Sequence, residues 1–190
     1  MRKLSVFNTV SIDGYFADAR GDMSWAHKQD PEWNAWVNEN ASGGGVLMFG
    51  RVTYDLMTMY WPTPMAAKND PVVAGRMNEM PKIVVSRTID KPTPGKPLWN
   101  NTTLVKGDLP AAVRRLKQEP GDDICILGSG SIVAQLAPEK LIDTYQLVVS
   151  PVVLGKGKTL FEGAKDRLNM KLTSTRAFRN GNVLLNYEPA

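Results

Sequence analysis

The sequence predicts an α/β domain with a mostly parallel sheet that closes on an antiparallel carboxy-terminal hairpin. Three observations carry this. Short apolar runs alternate with helical stretches, the order a parallel sheet requires. Three of those runs break abruptly on small or basic residues before the chain turns on: 46–49 before Gly50-Arg51-Val52-Thr53, 82–85 before Ser86-Arg87-Thr88, and 124–127 before Gly128-Ser129-Gly130-Ser131. Near the end, Asn180-Gly181 separates two strand-like runs, a strong short-range signal for a type I′ turn.

The elements follow in order. Residues 4–10 read as a first strand, followed by the turn-like Asp13-Gly14 and a polar loop through Asp22. Asp30-Pro31-Glu32 is a helix start, with a capping carboxylate and proline at the first helical position. Trp33, Trp36 and Val37 then recur at helical spacing and face the core. Asp70-Pro71 repeats the start signal. Residues 90–101 hold three prolines and a glycine and read as a loop. Leu104-Val105 resumes a strand, and Asp108-Leu109-Pro110 opens a helix through Val113, Leu116 and Lys117. Leu141-Ile142 and 145–149 read as strand, 151–158 as a glycine-punctuated loop, and 176–185 as the hairpin. No repeat or low-complexity linker divides the chain, so residues 1–190 read as one domain.

Composition removes several function classes. A formal charge of +4, with Lys and Arg scattered, suits a small anionic ligand better than nucleic acid. No apolar run approaches the roughly 20 residues that span a bilayer, and the start, broken by Ser5, Asn8 and Thr9, reads as a strand rather than a signal; the expected location is cytoplasmic. His27 is the only histidine and Cys125 the only cysteine, too few for an ordinary zinc site or for a nucleophile with a base. Cys125 lies mid-strand and reads as a buried thiol, His27 as an exposed loop residue. Two motifs fail on inspection. Gly155-Lys156-Gly157-Lys158-Thr159 has Val152 where a P-loop needs its first glycine, and Val133 stands at the third glycine of a Rossmann fingerprint.

The three strand ends are the functional clue. A strand that breaks on small residues and opens into a helix aims free N–H groups and the positive end of a helix dipole at one spot, which suits a phosphate. Glycine lets a ligand approach the backbone, and the arginine fork matches phosphate oxygens. Each cluster taken singly also reads as a simple turn or a helix cap. Because ligands of open α/β sheets collect beyond the carboxyl ends of strands, the three together point to a phosphorylated ligand, of dinucleotide type.

Ser11-Ile12-Asp13-Gly14-Tyr15, Met48-Phe49-Gly50-Arg51-Val52-Thr53-Tyr54, Val84-Val85-Ser86-Arg87-Thr88, Ile126-Leu127-Gly128-Ser129-Gly130 and Pro151-Val152-Val153-Leu154-Gly155-Lys156-Gly157 occur in an order that resembles dihydrofolate-reductase-like proteins. The chain is most similar to the branch of the carboxy-terminal reductase domain of the bifunctional riboflavin-biosynthesis deaminase/reductase, over nearly its whole length. The resemblance implies a three-layer α/β fold, NADPH as cofactor, a small-molecule substrate and, in this branch, frequent homodimers. By the same resemblance Gly50, Arg51 and Thr53 meet the cofactor's phosphates, Ser86 and Arg87 the adenosine 2′-phosphate side, and Gly128, Ser129, Gly130 and Ser131 the pyrophosphate. The loop from Asp13 to Trp25 corresponds to the segment beside the nicotinamide, with Trp25 as a candidate pocket wall, though it reads equally as a core or surface tryptophan.

The departures concern substrate. The riboflavin-pathway reductases carry lysine after the Asp-Gly pair, where this chain has Tyr15, and often glutamate before the glycine pair, where it has Leu127. Their Asp-Asp-Pro and downstream arginine have no clear counterpart after Thr53, and no unmistakable folate-anchoring acid appears, although Asp30 and Glu32 lie in that neighbourhood. The implied reaction is hydride transfer from NADPH to a small heteroaromatic or imine-like substrate; a dihydrofolate or pterin reductase and a catalytically silent NADP-binding module are the alternatives. Hydride addition also needs a proton, for which Asp13, Tyr15 and Asp30 are candidates, Asp13 being equally a turn residue.

Overall fold

The computed structural model describes residues 1–28, 30–86, 98–127 and 130–190. An eight-stranded sheet is built from β1 (Leu4–Ser11), β3 (Val46–Gly50), β4 (Lys82–Val85), β5 (Thr102–Val105), β6 (Ile124–Leu127), β7 (Thr144–Ser150), β9 (Met170–Ala177) and β10 (Val183–Pro189). Its order is β5-β4-β3-β6-β1-β7-β10-β9. Every pairing from β5 to β7 is parallel, and β10 runs antiparallel to both β7 and β9. This is the mostly parallel sheet with an antiparallel carboxy-terminal hairpin that the sequence predicts.

Alternation along the strands sorts side chains to two apolar layers. On one face Leu4, Val6, Met48, Ile124 and Ile126 pack with Leu109, Ala112 and Val113 of α5 (Leu109–Gln118) and Ile132, Val133 and Leu136 of α6 (Gly130–Leu136). On the other face Leu47, Phe49 and Val84 pack with Tyr54 of α2 (Arg51–Tyr60) and Val73 and Met77 of α4 (Pro71–Glu79). Trp36 of α1 (Pro31–Ser42) extends that layer over Val148, Leu184 and Phe178, with Trp33 and Val37 packed against it. Helices thus cover both faces, which gives three layers.

The helix starts are local chemistry. Asp30 accepts from Trp33 N at the head of α1, and Asp108 accepts from Ala111 N at the head of α5, each followed by proline within the first two helical positions. Asp70 begins α4 without a side-chain cap, because its carboxylate instead accepts from the Tyr60 hydroxyl at 3.0 Å. A short α3 (Pro64–Asn69), capped by Thr63, was not expected from the sequence: six residues hold too few turns for periodicity to show.

Four expectations need correction. Residues 151–158 are not all loop, nor are 13–22. β8 (Gly157–Thr159) pairs antiparallel with β2 (Tyr15–Asp18) in a separate two-stranded ribbon. Both strands are too short for alternation to register. Leu141-Ile142 lies before β7 rather than in a strand: the Leu141 carbonyl accepts from Lys117 Nζ and Ile142 is buried as a plug. The hairpin turn is not type I′, since only Gly181 has positive φ (+88°) and Asn180 does not. Gly181 N donates to Phe178 O and Phe178 N to Asn182 O, so a three-residue turn closes on a glycine bulge. The expected loop at 90–101 falls largely outside the described residues.

Lys82, the first residue of β4, is 1% exposed. Its ammonium donates to the carbonyls of Asn78 (3.1 Å), Met80 (2.7 Å) and Asn100 (3.1 Å) and lies 4.3 Å from the centre of the Trp99 ring. Burial lowers its pKa to about 8. An unfolded lysine titrates near ~10.4. Between these values the unfolded chain binds a proton that the folded one has released, so stability rises with pH across that window; below it both states are protonated and the cost is constant. Urea unfolding at pH 7, 8.5 and 10 should therefore show wild type gaining on Lys82→Met only as the pH climbs above about 8. A difference independent of pH would contradict this.

The ribbon also depends on Gly157. A Cβ there would run into the Ala17 carbonyl oxygen and stand 2.9 Å from the Tyr15 Cβ, neither of which is a flexible side-chain end. Gly157→Ala should cost about 1–3 kcal/mol or more in chemical denaturation, whereas Gly75→Ala, where a Cβ meets nothing within 4 Å, should cost nothing.

Candidate active site

The parallel register brings the three strand ends side by side. Gly50 of β3 pairs with Val85 of β4, and Met48 pairs with Ile126 of β6, so Gly50, the head of α2 and Ser86 border the place where β6 stops. Adjacent strands lie about 4.8 Å apart, which confines β4, β3 and β6 to a strip about 10 Å wide. The chain leaves β3 into α2 and β1 towards α1 on one face, but leaves β6 into α6 on the other. A sheet whose connections part to opposite faces has its crevice at that point.

Gly50 is buried and extended (φ −76°, ψ 160°), and α2 begins without a side-chain cap because glycine has none to give. The ten-residue α2 therefore directs the positive end of its dipole and its first-turn donors at the C-terminal edge. Arg51 is exposed and, among the described residues, pairs with Asp55 one turn on, at 3.2 Å. A surface pair of this kind is worth under about 1 kcal/mol, so the guanidinium is available to a stronger anion. Thr53 stands half-buried in the first turn. Ser86 is 6% exposed, and its N–H donates to Val105 O.

Gly130 begins α6 and is buried, but its lack of a side chain serves packing: a Cβ would stand 2.6 Å from the Phe16 ring of β2. Ser131 is exposed at the head of the same helix. Arg87, Gly128 and Ser129 lie outside the described residues.

The candidate proton donors are placed differently. Asp13 accepts from Ser11 Oγ (2.6 Å), Gly155 N (2.7 Å) and Leu154 N (3.1 Å). The Ser11 hydroxyl above all, with smaller help from the two backbone N–H groups, holds this carboxyl below its ordinary pKa against the desolvation that opposes it. That direction favours the ionised form, the reverse of what a proton donor needs. Asp13 acts as a clasp between the end of β1 and the loop before β8. Tyr15 opens β2, its N–H donating to Ser11 Oγ at 2.9 Å. Asp30 is occupied as the α1 cap, 3.0 Å from Trp33 N. Trp25 sits half-buried in a single 3-10 turn (Ser24–Ala26), its indole N–H donating to Asp22 O at 3.2 Å. Among the described residues the side-chain bonds of Asp30 and Trp25 are thus local.

Asn8 is the residue that the sequence reading passed over. It lies on β1, on the face of Val6 and Val10, and is 2% exposed. Neither its Oδ1 nor its Nδ2 has a hydrogen-bond partner among the described residues. Phe7 pairs with Leu127, the last residue of β6, so Asn8 stands one step past Leu127, at the level of Gly50 of β3. The signal was present as a polar residue in the otherwise apolar series Leu4, Val6, Val10. Away from the crevice, burial raises the Cys125 thiol pKa, which makes it a poor nucleophile. Among the described residues no three His, Cys, Asp or Glu side chains gather as a metal would require.

Comparison with known proteins agrees with this architecture. The Bacillus subtilis (strain 168) protein YyaP, itself described as uncharacterized, is 28% identical over 188 residues, covering 98% of this chain and 94% of its own. A structure from Shewanella sp. PV-4, described provisionally as a riboflavin biosynthesis protein, superposes with a TM-score of 0.75 at 23% identity and 99% coverage of both chains. A Thermotoga maritima diaminohydroxyphosphoribosylaminopyrimidine deaminase/5-amino-6-(5-phosphoribosylamino)uracil reductase superposes at 0.68 with 16% identity, all of this chain matching 57% of that one. Residues 2–184 match the family of the RibD C-terminal domain, and the chain belongs to that family.

Proposed function

We propose that this protein is an NADPH-dependent reductase that delivers hydride to a C=N or C=O bond of a small heteroaromatic substrate of pyrimidine type. The observation that carries the reading is the uncapped head of α2 at Gly50, set beside Ser86 and Arg51 where β6 stops. Such a strip binds a chain of phosphates by backbone N–H groups, a helix dipole and a guanidinium fork. Family membership supports the same choice. A bound nicotinamide supplies the hydride; the protein supplies orientation and a proton.

Within this reading Gly50, Arg51 and Thr53 hold the phosphates, Ser86 and Arg87 the 2′-phosphate side, and Gly128 to Ser131 the pyrophosphate. Because Asp13 is held ionised, the proton comes from Tyr15, Asp30 or ordered water. We assign the protein to the cytoplasm, acting as a homodimer on a small molecule; no helix among the described residues is long and apolar enough to cross a membrane. Tyr15 and Leu127 replace the lysine and glutamate of the riboflavin-pathway reductases. That favours, as second reading, a module that binds NADPH without turnover.

Saturating NADPH, at a hundredfold excess over Kd, should stabilise the fold by about 2.7 kcal/mol in thermal or chemical denaturation. Arg51→Ala should loosen NADPH by about tenfold, since it removes a charge-assisted phosphate contact. Absence of saturable NADPH binding would end the proposal. Binding without loss of the 340 nm absorbance in the presence of pyrimidines, pterins or quinones would favour the silent module.

A further inference from the structure

We propose that the hollow beside Tyr145 binds a compact aromatic carboxylic acid carrying a second oxygen at its far end, of hydroxybenzoate type. Tyr145 is the second residue of β7, Met170 opens β9, and Ala137 follows the last residue of α6. These positions belong to the N-terminal edge of the parallel strands, whereas Gly50 and Ser86 stand at the C-terminal edge. The hollow is thus remote from the strand-end strip, and nothing in it rests on the reductase reading.

Its size and walls suit one ring. The cavity measures about 130 Å³, and an apolar cavity of ~150 Å³ holds benzene. Ala137 is part of the buried core, and Leu168 and Met170 pack against that core while lining the cavity. Tyr145 lines the same space and is 2% exposed. Its ring packs on Phe161, centroids 6.0 Å apart. The hydroxyl has no hydrogen-bond partner among the described residues, yet it is not one of the sealed polar atoms. It therefore keeps some exposure, and the cavity is where Tyr145 meets open space. A hydroxyl without a partner on a side chain this deep is a cost that phenylalanine would remove. Burial pushes its pKa up to about 12, so the group is neutral and can donate or accept.

The mouth has the opposite character. Lys140 and Arg167 line it and are exposed, and among the described residues neither side chain has an ion pair or a hydrogen bond. No Asp or Glu side chain lines the cavity, and Asp166 lines a neighbouring hollow that shares Leu168 and Met170. Ala190 lies at the same rim; a carboxylate there would offset one of the two cations and leave the other. Burial sets the orientation of the ligand. Its carboxylate meets the two cations at the mouth, its ring fills the apolar middle, and its far oxygen meets Tyr145 Oη at the base.

The test measures Kd by isothermal titration for 4-hydroxybenzoate, benzoate and phenol. The proteins are wild type, Tyr145→Phe, and a double variant carrying Lys140→Gln and Arg167→Gln. Wild type should bind 4-hydroxybenzoate saturably, and benzoate and phenol about tenfold more weakly, each having lost one end. Tyr145→Phe should bring 4-hydroxybenzoate to the level of benzoate and leave benzoate unchanged. The double variant changes exposed side chains only; it should weaken both acids about tenfold and leave phenol unchanged. Saturating NADPH should not displace the acid. A wild type that binds none of the three overturns the proposal. So does binding that neither variant alters, or that NADPH displaces, because the acid then sits elsewhere. A Tyr145→Phe protein that holds 4-hydroxybenzoate as tightly as wild type overturns it too, since water alone then meets the hydroxyl. Should Tyr145→Phe not fold, the double variant decides, with phenol as its control.

Discussion

The parallel register of β4, β3, β6 and β1 is the constraint on which this edge of the fold depends. Gly50 pairs with Val85, Met48 with Ile126 and Phe7 with Leu127, so the carboxyl ends of four strands are drawn to one edge. β1 continues past that level to Ser11, its outer edge paired to β7 as far as Ser150. Asn8 and Gly50 stand level with each other on either side of β6, and α2 points a head without a side-chain cap at the same edge.

The β2–β8 ribbon is fixed at this end of the sheet by contacts that leave little freedom. Phe16 packs so closely on Gly130 that no side chain fits there, and Gly157 lets the two strands of the ribbon approach. The Asp13 carboxylate gathers Ser11 Oγ and the N–H groups of Leu154 and Gly155, which joins the end of β1 to the approach to β8. A carboxylate used in this way is a structural anion. Its depressed pKa and its three donors have one cause, so Asp13 cannot be both the clasp and a reservoir of protons near neutral pH.

Much of this was legible in the sequence because it is written in short range. Asp-Pro starts, apolar runs of four or five residues and their breaks on Gly, Ser and Arg gave α1, α4, β3, β4 and β6 close to their observed bounds. The convergence of the strand ends was also foreseeable, since parallel strands share a C-terminal edge. What escaped was set by tertiary contact. The ribbon has three- and four-residue strands that are held by each other and by packing of Phe16 on Gly130 and the core. The hairpin turn was expected as type I′ from Asn180-Gly181, but Asn180 keeps negative φ and its Oδ1 accepts from Asn182 N instead. The packing role of Gly130 escaped too, because the Phe16 ring stands where its side chain would be and no sequence pattern shows that contact. Asn8 was seen only as an interruption of an apolar run, because a sequence does not show whether a polar atom will find a partner.

The buried polar groups divide by edge, and the division is informative. At the N-terminal edge of the parallel strands Lys82 has three carbonyls and an indole face, and Lys117 pairs with Asp143 at 2.6 Å while Asp143 also accepts from Leu4 N. These groups carry charge and are nonetheless satisfied. At the C-terminal edge the groups are neutral, yet the buried side-chain atoms without partners among the described residues belong to Asn8, Asn180 and Asn182, all at that edge. The division follows from cost. An unpaired ion in the interior is far more expensive than an unpaired amide, so where charge is buried the chain supplies acceptors or a counter-charge, while a neutral side-chain amide can be left partly unsatisfied.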